Sequence, residues 1–117
     1  MFDNRPLLEW VTVLAGAWVA LSTWVAPAMD PGAVLSGAAQ ANHLIIGIAV
    51  VALGLAGVFA FRFWEEWVLA LLGLWLLASP WLFGFTHVGP FVISDIVAGL
   101  LVVAMSGWVA FTDDAAA

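Results

Sequence analysis

Residues 66–81, EWVLALLGLWLLASPW, repeat residues 9–24, EWVTVLAGAWVALSTW, at an offset of 57 positions. Eight of the 16 aligned positions are identical, and three of those eight are tryptophan. The only two basic residues of the chain, Arg5 and Arg62, are separated by the same offset. Because self-similarity at a fixed period marks a repeat architecture, the sequence predicts one structural unit present twice.

The composition is that of a membrane protein. Hydrophobic residues make up 66% of the chain and charged residues 9%, whereas a soluble domain carries about 25% charged residues. Two arginines and no lysine exclude a basic patch for nucleic acid. The absence of cysteine excludes disulfides, thiol catalysis and thiolate metal sites. We therefore expect lipid and other membrane subunits as partners, and no nucleic acid.

Four apolar runs are long enough to cross about 30 Å of hydrocarbon at about 1.5 Å per residue. They lie near residues 8–26, 43–61, 65–83 and 91–111. The sequence thus predicts an all-α fold of four transmembrane helices in a single membrane domain. The predicted parts are repeat one at 5–61, repeat two at 62–111 and a tail at 112–117.

The connection within repeat one, residues 27–42, is rich in Pro, Gly, Ala and Ser. Asp30 and Pro31 fit a helix N-cap followed by a proline at the first helical position, which predicts a short helix near 31–40. The second helices of the two repeats align at an offset of 52 rather than 57. The connection within repeat two is therefore about five residues shorter.

The two repeats should point the same way across the membrane, because each contains two helices. Parallel repeats predict a pseudo-two-fold axis along the membrane normal. Arg5 and Arg62 then lie on one side, and the positive-inside rule puts both termini in the cytoplasm.

The third helix closes with Ser79-Pro80-Trp81, which resembles the motif of the SPW-repeat family of small prokaryotic membrane proteins. That family is named for a Ser-Pro-Trp motif in the first of two transmembrane helices per repeat. The resemblance covers roughly residues 7–111. The first copy departs from it, since Thr23 stands where Pro would be. The resemblance implies a helix-pair fold in the prokaryotic inner membrane, and it supplies no catalytic residues.

Pro80 removes a backbone donor and clashes with the carbonyl of residue 76, so the helix should bend or end nearby. One interpretation is a hinge or a binding niche that uses Ser79. We favour a structural role, in which the helix ends and Trp81 packs at the membrane interface.

Charged side chains cluster at the predicted cytoplasmic face. Arg5 with Glu66, and Arg62 with Glu9, could form ion pairs between the repeats, and we expect at least one of them. The alternative, that these are solvated charges at the membrane edge, stays open.

His43 and Asp95 occupy equivalent positions near the outer ends of the second helices. An ionisable residue within a transmembrane helix is a functional hypothesis by default. The two side chains could bond directly if the second helices face each other. A neutral His43 could instead ligate haem iron or a chlorin magnesium, although an interfacial role is favoured. One histidine without a second ligand does not predict a metal site.

Trp18 and Trp75 fall near mid-membrane. Together with His43 they could bind a flat cofactor such as a carotenoid, quinone or chlorin. Packing between helices or against lipid is the favoured role, and no cofactor is required by the sequence.

The leading functional prediction is a non-enzymatic structural or accessory subunit of a larger membrane complex, respiratory or photosynthetic. A binding module for a hydrophobic cofactor is second, and a small transporter or channel is third. We predict no enzymatic activity, because acid–base catalysis needs a positioned pair of groups and only His43 with Asp95 offers one, without a nucleophile.

Overall fold

The computed structural model describes residues 5–32, 35–60 and 63–112, and over these ranges the chain forms four α-helices. They are α1 (Arg5–Met29), α2 (Gly37–Phe59), α3 (Phe63–Leu82) and α4 (Gly89–Thr112). The helices form an elongated bundle measuring 49 × 22 × 18 Å. Each helix is long and apolar enough to cross a membrane, so the expectation of an all-helical, four-helix protein is confirmed.

The connection between α1 and α2 differs from the prediction. α2 begins at Gly37, six residues earlier than expected, and Ser36 is its N-cap, with Oγ accepting from the Ala39 N–H at 3.2 Å. The Asp30 carboxylate instead accepts from the Gly32 N–H at 3.1 Å and closes a local turn, as Asp side chains commonly do. A helix N-cap makes the same bond to the second helical residue, but residues 31–32 form a turn here, so the predicted helix cap at Asp30 is not confirmed. The predicted short helix near 31–40 falls partly on residues 33–34, outside the described residues, and its second half is the start of α2.

α3 ends two residues after Pro80, as the proline predicted. The Phe85 N–H donates to the Pro80 carbonyl at 3.0 Å, and Gly84 adopts φ +72° to turn the chain. Glycine reaches this left-handed region without steric cost and commonly follows a helix end for that reason. The Ser79 hydroxyl donates to the carbonyl of Trp75, one turn earlier in the same helix, at 2.8 Å. The hinge interpretation of this motif stays a prediction.

In each helical hairpin, α1–α2 and α3–α4, the two helices approach closely at a pair of glycines. A Cβ placed on Gly16 of α1 would lie 2.9 Å from the Gly47 carbonyl oxygen of α2. A Cβ placed on Gly99 of α4 would lie 2.8 Å from the carbonyl oxygen of Gly73 in α3. Lipid gives helices no hydrophobic reason to associate, so close backbone approach at small residues supplies much of the packing. The two glycine pairs occupy equivalent positions of the two repeats.

The two hairpins meet mainly through α1 and α4, while α2 and α3 touch less extensively. Aliphatic side chains from all four helices fill the middle of the bundle. The fully buried members of this cluster are Val19, Val50, Leu69, Leu76 and Val102. This apolar layer separates buried polar groups near one end of the bundle from those near the other.

Candidate functional site

His43 and Asp95 form a buried polar contact between the two repeats. Each lies six residues after the first residue of its helix, α2 or α4, so the two side chains reach the same depth. His43 Nε2 and Asp95 Oδ1 are 2.8 Å apart, and both side chains have no exposed surface. The second helices therefore face each other here, and the direct bond considered from the sequence is present.

The backbone fixes the position of one of the two protons of this pair. His43 Nδ1 is 2.8 Å from the Ala39 carbonyl oxygen, and a carbonyl only accepts, so Nδ1 carries a hydrogen. One further proton must lie between Nε2 and Oδ1, whichever atom holds it. The pair is therefore electrically neutral as a unit, as either imidazolium with carboxylate or imidazole with carboxylic acid.

Aromatic side chains enclose the pair. The imidazole lies 5.3 Å from the ring of Phe85 and 5.4 Å from the ring of Phe91, measured between centroids. Phe85, Val88, Phe91 and Ala39 form a buried apolar cluster over it. The connection between α3 and α4 thus covers the His43–Asp95 bond and excludes water, which strengthens the bond electrostatically.

This geometry leaves little room for cofactor ligation by His43. Both ring nitrogens are engaged, one with the Ala39 carbonyl and one with Asp95. The described residues contain no group of three or more His, Cys, Asp or Glu side chains arranged for a metal ion. What the arrangement can do chemically is hold a single proton between two helices.

Trp18 and Trp75 lie on different sides of the bundle. Trp75 of α3 donates its indole N–H to Asn42 Oδ1 of α2 at 2.8 Å. Trp18 of α1 lines a groove between α1 and α4 that neither Trp75 nor His43 lines. Cofactor binding by these three residues stays a prediction.

The Asn42 network was missed in the sequence analysis. Besides accepting from Trp75, Asn42 donates through Nδ2 to Ser79 Oγ at 3.4 Å. Asn42 is buried even though it stands at the start of an apolar run. The position of Asn42 next to His43 could have indicated a buried polar network. The sequence did not indicate, however, which helix the carboxamide would face.

The acidic residues near the starts of α1 and α3 are buried rather than solvated. Glu9 and Glu66 have almost no exposed surface, and Glu65 is also buried. The Glu9 carboxylate packs against Gly57 so closely that a Cβ there would overlap it. The picture of solvated charges therefore does not describe Glu9 or Glu66. The Arg5 side chain and Arg62 lie outside the described residues, so the ion pairs between repeats stay a prediction.

All eight tryptophans lie on the outer surface of the bundle. Their exposed fractions run from 42% at Trp10 to 66% at Trp81. The interior, in contrast, contains Glu9, Asn42, His43, Glu66 and Asp95 with their polar atoms shielded. This arrangement, with polar groups inside and aromatic groups outside, is the reverse of that in a water-soluble protein. It fits a bundle whose surroundings are lipid.

Comparison with known proteins agrees with this picture. A family model described as the SPW repeat domain matches residues 6–109. That match covers all but the ends of the chain and includes Ser79, Pro80 and Trp81. Comparisons with curated proteins and with solved structures gave no match. The chain belongs to the SPW repeat family of membrane proteins.

Proposed function

We propose that this protein is a non-enzymatic structural or accessory subunit of a larger assembly, respiratory or photosynthetic, in a prokaryotic inner membrane. The observation that carries the proposal is the outer surface with its eight exposed tryptophans. Tryptophan is among the residues most enriched where proteins bind each other tightly. A bundle that needed only to meet lipid tails could use aliphatic side chains alone.

Two equivalent aromatic pairs are the best candidates for partner contact. Trp10 of α1 meets Phe59 of α2 edge-on, with ring centroids 6.2 Å apart. Trp67 of α3 meets Phe111 of α4 in the same way, at 5.5 Å. The two phenylalanines are about three-quarters exposed and the two tryptophans somewhat less than half. Each pair is thus held rigid by its own hairpin while presenting a face outward, as an anchor for a partner helix requires.

Co-purification tests the proposal. Tagged protein from its native membranes should bring partner subunits with it in digitonin and lose them in a harsher detergent. Replacing Trp10 and Trp67 together by Leu should lower the amount of partner that co-purifies at least tenfold. Trp24→Leu, an exposed tryptophan outside these pairs, is the matched control. A monomer free of partners in the mildest detergent would refute the proposal.

We also infer that the repeats are related by a pseudo-two-fold axis along the membrane normal, with both termini cytoplasmic. The equivalent glycine pairs and the equivalent Trp–Phe pairs support this symmetry. Because the chain has no cysteine, single cysteines can report the topology. An impermeant maleimide added to whole cells should label Thr86→Cys, before α4, and not Ala60→Cys, after α2. Labelling of Ala60→Cys from outside would show that the orientation is the opposite of the one inferred.

Binding of a hydrophobic cofactor is the second candidate, and the groove beside Trp18 is the observation in its favour. An absorption spectrum and a solvent extract of the purified protein test it. A colourless sample without quinone or carotenoid would remove this candidate. Transport is the third candidate. The apolar layer around Val50 and Leu76 does not favour it, because that layer separates the buried polar groups at the two ends.

A further inference from the structure

His43 makes two short contacts at the end of the bundle where α2 and α4 begin, and each contact needs its own proton. One joins Nδ1 to the Ala39 carbonyl oxygen and the other joins Nε2 to Asp95 Oδ1, both at 2.8 Å. A carbonyl and a carboxylate only accept hydrogen bonds. Both contacts are therefore satisfied only while the pair holds two protons.

Loss of one proton would leave a neutral imidazole beside a carboxylate. A neutral imidazole has one N–H and one bare nitrogen. If the hydrogen stays on Nδ1, Nε2 and Asp95 Oδ1 face each other as two acceptors. If it moves to Nε2, Nδ1 and the Ala39 oxygen do so instead. Either tautomer of His43 thus turns one of the two contacts repulsive.

The same loss would leave a net negative charge inside the bundle. Neither side chain of the pair has exposed surface, and Asp95 Oδ2 has no hydrogen-bond partner among the described residues. A buried charge that is neither paired nor fully hydrogen-bonded is strongly disfavoured. The other titratable side chains that the structure describes are exposed or lie at the opposite end of the bundle. They are Asp30 and His87, which are exposed, and Glu9, Glu65 and Glu66, near the starts of α1 and α3.

A proton can leave the pair for water only when the apolar cover over it moves. Phe85, Val88 and Phe91 form this cover together with Ala39, and all four are buried. Phe85 and Val88 belong to the connection between α3 and α4. Connections generally open more readily than helix interiors, so this part of the cover is the natural place for an opening.

We propose that the His43–Asp95 pair is a proton-dependent latch for this end of the bundle. While the pair holds both protons, α2, α4 and the cover stay closed. When alkaline pH withdraws one proton, the cover opens and admits water to the pair. This inference does not depend on the proposed accessory role.

The expected pH dependence follows from the number of protons in each state. In the open state the pair meets water, where aspartate loses its proton near pH 3.9 and histidine near pH 6.5, as in model peptides. Above about pH 7 the open state therefore carries one proton fewer than the closed state. Linkage then raises the opening equilibrium constant about tenfold for each pH unit. The closed state is most favoured between about pH 4 and 6.5 and loses stability as the pH rises.

Cysteine labelling measures this opening, because the chain has no cysteine of its own. Val88→Cys places a thiol in the buried cover. Thr86→Cys, exposed in the same connection, corrects for the pH dependence of the thiol itself. Purified protein in a non-ionic detergent is treated with a methanethiosulfonate reagent from about pH 7 to 9, above the ordinary histidine range. The labelling rate at position 88 relative to position 86 should rise about tenfold per pH unit.

Asp95→Asn is the matched control, because it keeps the contact and removes the additional proton. Its amide N–H donates to the bare Nε2 of a neutral His43, so the closed and open states carry equal numbers of protons above about pH 7. The labelling ratio should then not vary with pH. Leu at both positions 43 and 95 should give the same constant ratio, and it replaces the Asn variant if that variant does not fold. His87→Gln, at an exposed position in the connection, should leave the wild-type rise unchanged.

Four results would overturn the proposal. The first two are a wild-type ratio that does not change with pH and an equal rise in the folded control variants. The third is loss of the rise in His87→Gln, which would assign the proton to that side chain. The fourth is an equal rise at Val50→Cys in the apolar core, which would mean that the whole bundle unfolds and no local latch opens.

Discussion

The bond between His43 and Asp95 can be tested by removing one partner and then both. Leu at position 95 leaves Nε2 of His43 facing an apolar wall, while Nδ1 keeps its bond to Ala39. Leu at position 43 leaves the buried Asp95 carboxyl without that partner. A buried polar group left unsatisfied costs about 1 to 3 kcal/mol. We expect each single variant to lose about 1 to 2 kcal/mol of unfolding free energy.

The double variant should recover most of that loss. Replacing both partners of a buried polar pair by apolar groups is often neutral or stabilising. His43→Leu combined with Asp95→Leu should therefore lie within about 1 kcal/mol of wild type. Interaction energies from such cycles in membrane proteins average about 0.6 and reach about 1.7 kcal/mol. This pair should fall near the upper value because neither side chain is exposed.

The proton arrangement supplies a matched control. Since Nδ1 of a neutral His43 donates to Ala39, Nε2 needs a donor opposite it. Asp95→Asn offers an amide N–H of nearly the same size and should cost less than about 0.5 kcal/mol. Unfolding in mixed micelles with increasing dodecyl sulfate, followed by circular dichroism, measures all four variants. Additive single effects within about 0.5 kcal/mol, or an Asn variant as unstable as the Leu variant, would refute the reasoning.

Three further predictions use the same unfolding assay or solution NMR. Gly47→Val should destabilise the protein by at least about 2 kcal/mol, because its Cβ would lie 2.7 Å from the α1 backbone. Gly107→Ala, with open space around it, is the control and should be neutral. An equal loss of stability in both variants would count against close packing of α1 and α2 at Gly47. Gly84→Ala should cost about 1 kcal/mol, since φ is +72° there, and an unchanged midpoint would contradict that conformation. Asn42→Ala should free the Trp75 indole and speed exchange of its N–H with D₂O at least tenfold; an unchanged exchange rate would mean that the bond does not persist in solution.

The sequence was sufficient for the helix pairing but not for every helix boundary. α2 was predicted to begin at residue 43, because residues 27–42 are rich in Pro, Gly, Ala and Ser. In the structure Asn42 lies inside the helix, and its side chain has hydrogen-bond partners within the bundle. The cap at Ser36 was overlooked because Asp30 with Pro31 looked like a stronger cap. A polar residue marks a boundary only when it faces water, and a sequence does not state this.

The His43–Asp95 pairing was accessible from the sequence, whereas the Trp75–Asn42 bond was not. Alignment of the repeats made positions 43 and 95 equivalent, and a pseudo-two-fold arrangement brings equivalent positions together near its axis. Positions 42 and 75 are not equivalent, so their contact depends on how α2 and α3 are rotated about their own axes. The groove beside Trp18 likewise depends on how α1 and α4 are rotated, which the composition does not reveal.

The pairing of two unlike residues, His43 with Asp95, has a consequence for assembly. Two identical hairpins packed against each other at this position would set imidazole against imidazole, or carboxyl against carboxyl, in a dry interior. One chain that carries a different residue at each of these positions avoids both mismatches. Each hairpin therefore complements the other hairpin of its own chain better than it complements an identical hairpin. This favours a closed monomer over exchange of hairpins between molecules.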